Sequence, residues 1–144
     1  MTGPGAPRRL PAVGEALPPL ALPPLSRATL ALYAGGSGDH IPLHIDSDFA
    51  RAAGHPDVFM HGMLGAAYLA RLLTGWAPQE CLHEFRVRFQ AITWPGEALT
   101  ATGVVEAVDD AGRLTVAVQL ANADGAVKIA GRAVIDLTFA PGGA

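Results

Sequence analysis

The stretch HGMLGAAYLARLLT, residues 61–74, decides how the rest of the chain is read. Its apolar residues recur on every turn of a 3.6-residue helix, and only Arg71 carries a formal charge. A helix that is apolar nearly all round is expected to be buried. Gly65, Ala66 and Ala67 would let a neighbouring layer approach its backbone closely, and Gly75 stands where a helix commonly stops.

Downstream the period changes to two. Phe85, Val87, Phe89 and Ala91 alternate with Arg86, Arg88 and Gln90. A Thr/Val-rich run covers 98–105. Leu114, Val116, Val118 and Leu120 then alternate with Thr115, Ala117 and Gln119. Asp109, Asp110 and Gly112 supply one turn, and Asp124-Gly125 is a strong hairpin signal. Val127, Ile129, Ala133, Ile135 and Leu137 continue on one face, with Lys128, Arg132 and Asp136 expected on the other.

Upstream, residues 16–24 are apolar but carry Pro18, Pro19, Pro23 and Pro24, which suits an irregular sheet edge. Ser26 reads as the N-cap of a short helix from Ala28 to Tyr33, stopped by Gly35, Gly36 and Gly38. Asp46 or Ser47 would cap a second through Ala53, ended by Gly54. Strands following one apolar helix, with no βαβ alternation, predict an α+β domain in which a curved antiparallel sheet covers that helix.

The chain has 144 residues, one domain's worth, half of them apolar and only 16% charged, with a mean hydropathy of +0.29. So low a charged share predicts a large apolar face hidden by a sheet or a partner subunit. Net charge is -3, and no Lys/Arg cluster exceeds two in a row, which argues against nucleic-acid binding. No run is long enough to span a membrane as a helix. The Gly/Pro-rich start, residues 1–11, has no apolar core of a signal peptide and reads as a mobile tail before a domain at 12–140. The lone Cys81 fits a reducing, cytoplasmic setting.

The densest polar cluster is GGSGDHIPLHID, residues 35–46. No Lys-Ser/Thr follows the glycines, so a phosphate loop is excluded, and Asp39 stands where a nucleophile elbow needs glycine. His40 and His44 have the spacing of helical zinc ligands, but Pro42 breaks the helix that would bring them together. An acid/base pair of Asp39 with His44 remains. A regular helix would point them ~140° apart; a turn made by Pro42 can aim both at one water molecule. The alternative is structural: Asp39 caps a turn and His44 is a half-buried packing residue.

Residues 37–46, SGDHIPLHID, resemble the hydratase-2 motif of MaoC-like proteins, commonly Gly-Asp-x-Asn-Pro-Leu/Ile-His-x-Asp. FARAAG at 49–54 is similar to the segment that follows it, HGML at 61–64 to that family's helix start, and EFRVRF at 84–89 to its first long strand after the helix. The resemblance runs from about Leu25 to Leu137. It implies a hotdog fold, paired as a homodimer or with another hotdog subunit. It also implies hydration of a trans-2-enoyl thioester to the (R)-3-hydroxyacyl thioester, or the reverse dehydration. Asp39 and His44 would be the catalytic pair, and backbone N–H at Gly62 the oxyanion donor. His61, Met63, Ile41 and His40 would complete the substrate surroundings, with His61 read first as a helix-start residue and His40 as solvent-facing. No resident metal or cofactor is implied; coenzyme A or an acyl carrier protein's phosphopantetheine would bring the substrate, and Arg86, Arg88, Lys128 and Arg132 are candidates to meet its phosphates.

The motif's usual Asn is Ile41 here, which cannot hydrogen-bond through its side chain. That departure leaves two other readings open: a tailoring dehydratase of polyketide or other natural-product assembly, and a non-catalytic acyl-binding hotdog subunit.

Overall fold

The computed structural model describes residues 9–139. A short edge strand β1 (Leu20–Ala21) leads to helix α1 (Arg27–Ser37), a 3-10 turn at Pro42–His44, helix α2 (Ser47–Ala52) and the main helix α3 (Gly62–Trp76). Four strands follow: β2 (Leu82–Phe89), β3 (Leu99–Val108), β4 (Leu114–Asn122) and β5 (Val127–Ile135). They form one antiparallel sheet in the order β1-β3-β4-β5-β2, curved over α3. This is the α+β arrangement expected from the change of period after α3, and the hotdog fold that the resemblance implies.

The core lies between α3 and the inner face of the sheet. Leu64, Leu69, Leu72 and Leu73 of α3 meet Val105, Leu114, Val116, Val118, Leu120, Ile129 and Ile135 in one cluster. Each such side chain, fully buried, is worth about 1.5–3 kcal/mol. Gly65 sits where a Cβ would run into the Ile129 side chain and press on Met60 and Leu120. A glycine there sets how deeply the helix settles into the sheet.

Several expected boundaries shift. Helix α1 runs through Gly35 and Gly36 and stops only at Gly38, where φ is 78° and the backbone N–H reaches the Ala34 carbonyl. Ser37 Oγ bonds back to the Tyr33 carbonyl at 2.7 Å and holds the last turn. Helix α3 likewise includes Gly75. It ends at Ala77, extended because the following Pro78 disfavours helical backbone there. Nor is α3 buried all round in the single chain: Met63, Ala67, Arg71 and Thr74 form an exposed stripe opposite the sheet.

The proline-rich segment lies along β3, as an irregular edge should, joined by Leu17 N–H to Gly103 O and Leu22 N–H to Leu99 O. Of the expected tail, residues 1–8 lie outside the described residues; Arg9 pairs with Glu15, and Pro11 is buried.

Lys128 and Asp136, expected on the solvent face of β5, are both buried. Lys128 Nζ bonds Glu97 Oε1 and the Ile92 carbonyl, each at 2.8 Å, so it is not a free phosphate partner. Burial alone would raise the Glu97 carboxyl. Bonds from Lys128, Trp94 N–H and Asn122 outweigh it and hold the pKa down. This network fixes the 90–97 loop, which carries the carbonyl of Thr93 to Met60 N–H just ahead of α3. Asp136 is held by Thr138 and Arg113.

Gly131 faces Val87 of β2 and Val118 of β4 at the middle of the sheet. A Cβ there would collide with the Arg86 backbone carbonyl and lie 3.0 Å from Val87 Cα. Backbone cannot swing aside as a side-chain tip can. Gly131→Ala is therefore expected to destabilise by about 2–4 kcal/mol, against about 1 for Gly103→Ala, whose nearest neighbour is a Leu17 methyl. Denaturant unfolding of both variants checks this; equal, small losses would contradict it.

Candidate active site

The site forms where the loop after α1 meets the start of α3. Asp39 follows the left-handed Gly38, and its backbone N–H donates to Ser37 Oγ at 3.2 Å. Its Oδ1 accepts the Ile41 N–H at 3.3 Å. Pro42 then opens a 3-10 turn that ends on His44 and turns that imidazole inward, where it is 9% exposed. Asp39 and His44 thus converge because a turn, not a helix, joins them.

The His44 tautomer follows from its partner. Nδ1 lies 2.8 Å from the Phe59 carbonyl. A carbonyl only accepts, so Nδ1 carries a hydrogen; in the neutral imidazole Nε2 then holds the lone pair. Phe59 also packs edge-on against the ring, with centroids 5.0 Å apart. The result is an oriented imidazole whose free nitrogen can take a proton.

His61 is the N-cap residue of α3 and is 1% exposed. Its Nε2–H donates to the Asp39 carbonyl at 3.1 Å, and its ring stacks on His44 with centroids 3.9 Å apart and planes 28° apart. Tyr33 of α1 meets it edge-on at 4.8 Å. Nδ1 is buried without a hydrogen-bond partner among the described residues. Burial pushes the His61 pKa down, and the neighbouring His44 adds to that, against the raising effect of Asp39.

Ligand atoms of Asp39, His44 and His61 lie within 4.8 Å of one another, a set that sequence spacing did not offer as metal ligands. An ion at ordinary bond length needs the in-plane lone pairs of both rings to converge on it. Nearly parallel stacked rings aim them side by side. The arrangement suits proton transfer to a water better than a metal cage.

Gly62 and Met63 open α3. Their N–H groups belong to the first turn, which has no carbonyl a turn earlier to bond, and they lie at the positive end of the helix. The Phe89 ring covers Gly62, within 3.2 Å of where a Cβ would stand. A shallow apolar pocket of about 290 Å³ lies beside it, lined by Phe59, Met60, Phe89, Ile92, Thr93 and Ile129 among others. Met63 is 61% and Ile41 52% exposed. The Ile41 side chain therefore does not dry the site in the single chain. His40 is exposed, as expected, with Nδ1 3.1 Å from the Gly38 carbonyl. Arg86 and Arg132 are paired with Glu84 and Glu106 on the outer sheet face.

Three features were not visible from sequence. The acceptor for His44 is a backbone carbonyl, which every residue carries, so no side-chain signal marks Phe59. The His61–Asp39 bond and the Phe89–Gly62 contact join positions 22 and 27 residues apart.

The lowered His61 pKa fixes a sign for stability. Above its ordinary value of 6.5 the ring is neutral folded or unfolded, and its full contribution is present. As pH falls below that value, the unfolded chain gains a proton the folded one resists, and stability is lost down through the folded pKa. Unfolding free energy measured from pH 7.5 to 5.5 should decline, and His61→Gln should flatten the decline. An unchanged slope in the variant would contradict this.

Residues 12–125 match the family model described as MaoC like domain. An enoyl-CoA hydratase of Mycobacterium tuberculosis, ChsH3, is 35% identical over 99 residues, 65% of this chain and 32% of that protein. A peroxisomal hydratase-dehydrogenase-epimerase of Saccharomyces cerevisiae is 38% identical over 64 residues, 44% of this chain and 7% of that one. The chain thus spans a third or less of these curated relatives. Among solved structures, the (R)-hydratase from A. caviae involved in PHA biosynthesis superposes with a TM-score of 0.79 at 27% identity, covering 88% of this chain and 96% of that one. The ChsH1-ChsH2 complex from M. tuberculosis gives 0.78 at 25% identity, covering 88% and 98%. With its motif residues gathered at one site and a family model spanning residues 12–125, this chain belongs to the MaoC-like domain family.

Proposed function

We propose that the chain is a hydro-lyase that adds water across a trans-2-enoyl thioester to give the (R)-3-hydroxyacyl thioester, or runs the reverse dehydration. The observation that carries this reading is the convergence of the Asp39 carboxyl with an imidazole, His44, whose Nδ1 is taken by the Phe59 carbonyl, so that Nε2 is the nitrogen left for a substrate or water. A water between them would give up one proton to the pair as its oxygen bonds C3. The pair would return one proton to C2, so that H and OH are added in sum. Negative charge developing on the thioester oxygen would meet the Gly62 N–H at the head of α3. The site residues need no resident metal or cofactor for this; the substrate would arrive on coenzyme A or an acyl carrier protein, in the cytoplasm.

Ile41 favours a second reading. It puts an exposed apolar side chain two residues after Asp39 where the family motif has an amide, which suits a bulky acyl group of the kind a tailoring dehydratase of natural-product assembly would take.

A partner subunit is part of the proposal. Edge strand β2 has β5 as its one neighbour among the described residues, and Ile41, Ile45, Phe49 and Met63 are all at least 46% exposed around the site. A second hotdog subunit, identical or related, would cover them. Sedimentation at micromolar concentration should show a dimer or, with the chain's own partner, a heterodimer; a stable, well-folded monomer in both cases would contradict it.

For the chemistry, purified protein with crotonyl-CoA should bleach the enoyl-thioester absorbance. Asp39→Asn should keep the fold and lose ~10²–10⁴-fold in rate, as should His44→Ala. The double variant should lose less than the product of the two. Near-wild-type turnover in folded Asp39→Asn would overturn the assignment.

A further inference from the structure

The proton-handling pair and the oxyanion donor lie on different parts of the chain. Asp39 and His44 sit on the loop and turn after α1, and Gly62 heads α3. A hydration site works only if the two hold a fixed relation, since a misplacement of about 1 Å costs on the order of 10²-fold in rate. The loop bearing Asp39 has no strand or helix of its own between Gly38 and Pro42. Something must tie it to α3.

His61 is placed to do so. It is the residue immediately before Gly62, and it makes two contacts with the other half of the site and a third with α1. Its Nε2–H bonds the Asp39 carbonyl, its face lies on the His44 ring, and its edge meets Tyr33. It is almost fully buried, so these contacts exclude water as well as fix distance. We propose that His61 is a positioning residue which clamps the Asp39 loop and the His44 ring to the N-terminus of α3, so that one rigid helix sets both halves of the catalytic site.

The contacts divide the work. The N–H donated to the Asp39 carbonyl holds the backbone from which the carboxyl projects. The stacked face fixes the tilt of His44 about its bond to the Phe59 carbonyl, and so the direction of Nε2. The ring itself must stay neutral. The titratable groups facing it are Tyr33 from α1, Asp39 from the loop and His44 from the 3-10 turn. A charge on His61 would oppose proton uptake by His44, stacked 3.9 Å away. The unpartnered Nδ1 agrees with a neutral ring protonated on Nε2.

This inference rests on the hydratase reading for its kinetic consequence, but not for its geometry, so two measurements separate the failures. The first is kinetics on crotonyl-CoA with two folded variants. His61→Phe keeps a ring to stack and removes the donor; His61→Gln keeps an N–H at nearly the same reach and removes the ring. His61→Phe should lose about 10²-fold in kcat with KM changed by less than about threefold, and His61→Gln should recover to within about tenfold of wild type. Wild-type kcat in His61→Phe, or equal losses in both variants, would overturn the clamp.

The second measurement needs no turnover. Nitrogen-15 imidazole spectra should show wild-type His61 neutral and protonated on Nε2 near pH 7, and His44 protonated on Nδ1. In His61→Phe the hydrogen-bonded amides of Asp39 and Ile41 should exchange with solvent at least about tenfold faster, as loss of a hydrogen bond of about 1.4 kcal/mol requires. A His61 protonated on Nδ1, or unchanged loop exchange, would overturn the proposal even if the wild type hydrates crotonyl-CoA. An inactive wild type with these spectra as expected would overturn only the choice of reaction.

Discussion

The depth to which α3 settles into the curved sheet governs the rest of this structure. Leucines 64, 69, 72 and 73 supply the apolar face, and Gly65 removes the one Cβ that would hold the helix off Ile129 and Leu120. Packing at interior density transmits position with little slack. A helix seated this way delivers its first residues, His61 and Gly62, to one place at the sheet's end. Gly131 plays the corresponding part within the sheet, letting β2 and β5 close up beneath the Arg86 carbonyl.

Several of the buried polar groups hold the site's frame. Lys128, Glu97, Asn122 and the Ile92 carbonyl form a satisfied network under the 90–97 loop, next to the apolar pocket beside Gly62. A lone buried ammonium or carboxylate would be costly; paired and hydrogen-bonded, it fixes the loop's path. His44 follows the same logic on a smaller scale. One nitrogen is spent on the Phe59 carbonyl, which fixes which proton the other can take.

The chain's apolar excess finds only part of its explanation within one subunit. The sheet-facing side of α3 is covered, while the stripe from Met63 through Ala67 to Thr74 and the side chains of Ile41, Ile45 and Phe49 remain exposed. Of these, Ile41, Ile45 and Met63 are chain neighbours of the site residues Asp39, His44 and Gly62. A subunit that covered them would also wall the space in which substrate must lie, so assembly and catalysis would share one surface.

The sequence by itself determined what depends on local order. Periodicity of 3.6 then 2 placed α3 and the four strands; Ser26 and Asp46 marked helix starts, and Asp124-Gly125 a hairpin. The spacing of Asp39, Pro42 and His44 left an acid/base pair and a structural role both open; the resemblance to the hydratase-2 motif pointed to the pair, and Pro42 does open a turn between the two residues. Helix ends were less legible. Glycine permits an end without requiring one, so α1 continued past Gly35 and Gly36, and α3 stopped at Pro78's neighbour instead of Gly75. Contacts across many residues were decided only by the tertiary structure. Lys128 left the solvent face because Glu97 lay within reach, His61 found a carbonyl 22 residues away, and Phe59 oriented His44 through backbone that any residue would have offered. Side-chain chemistry names the groups able to react; the packing of α3 against the sheet decides which of them meet, and with which hydrogen on which nitrogen.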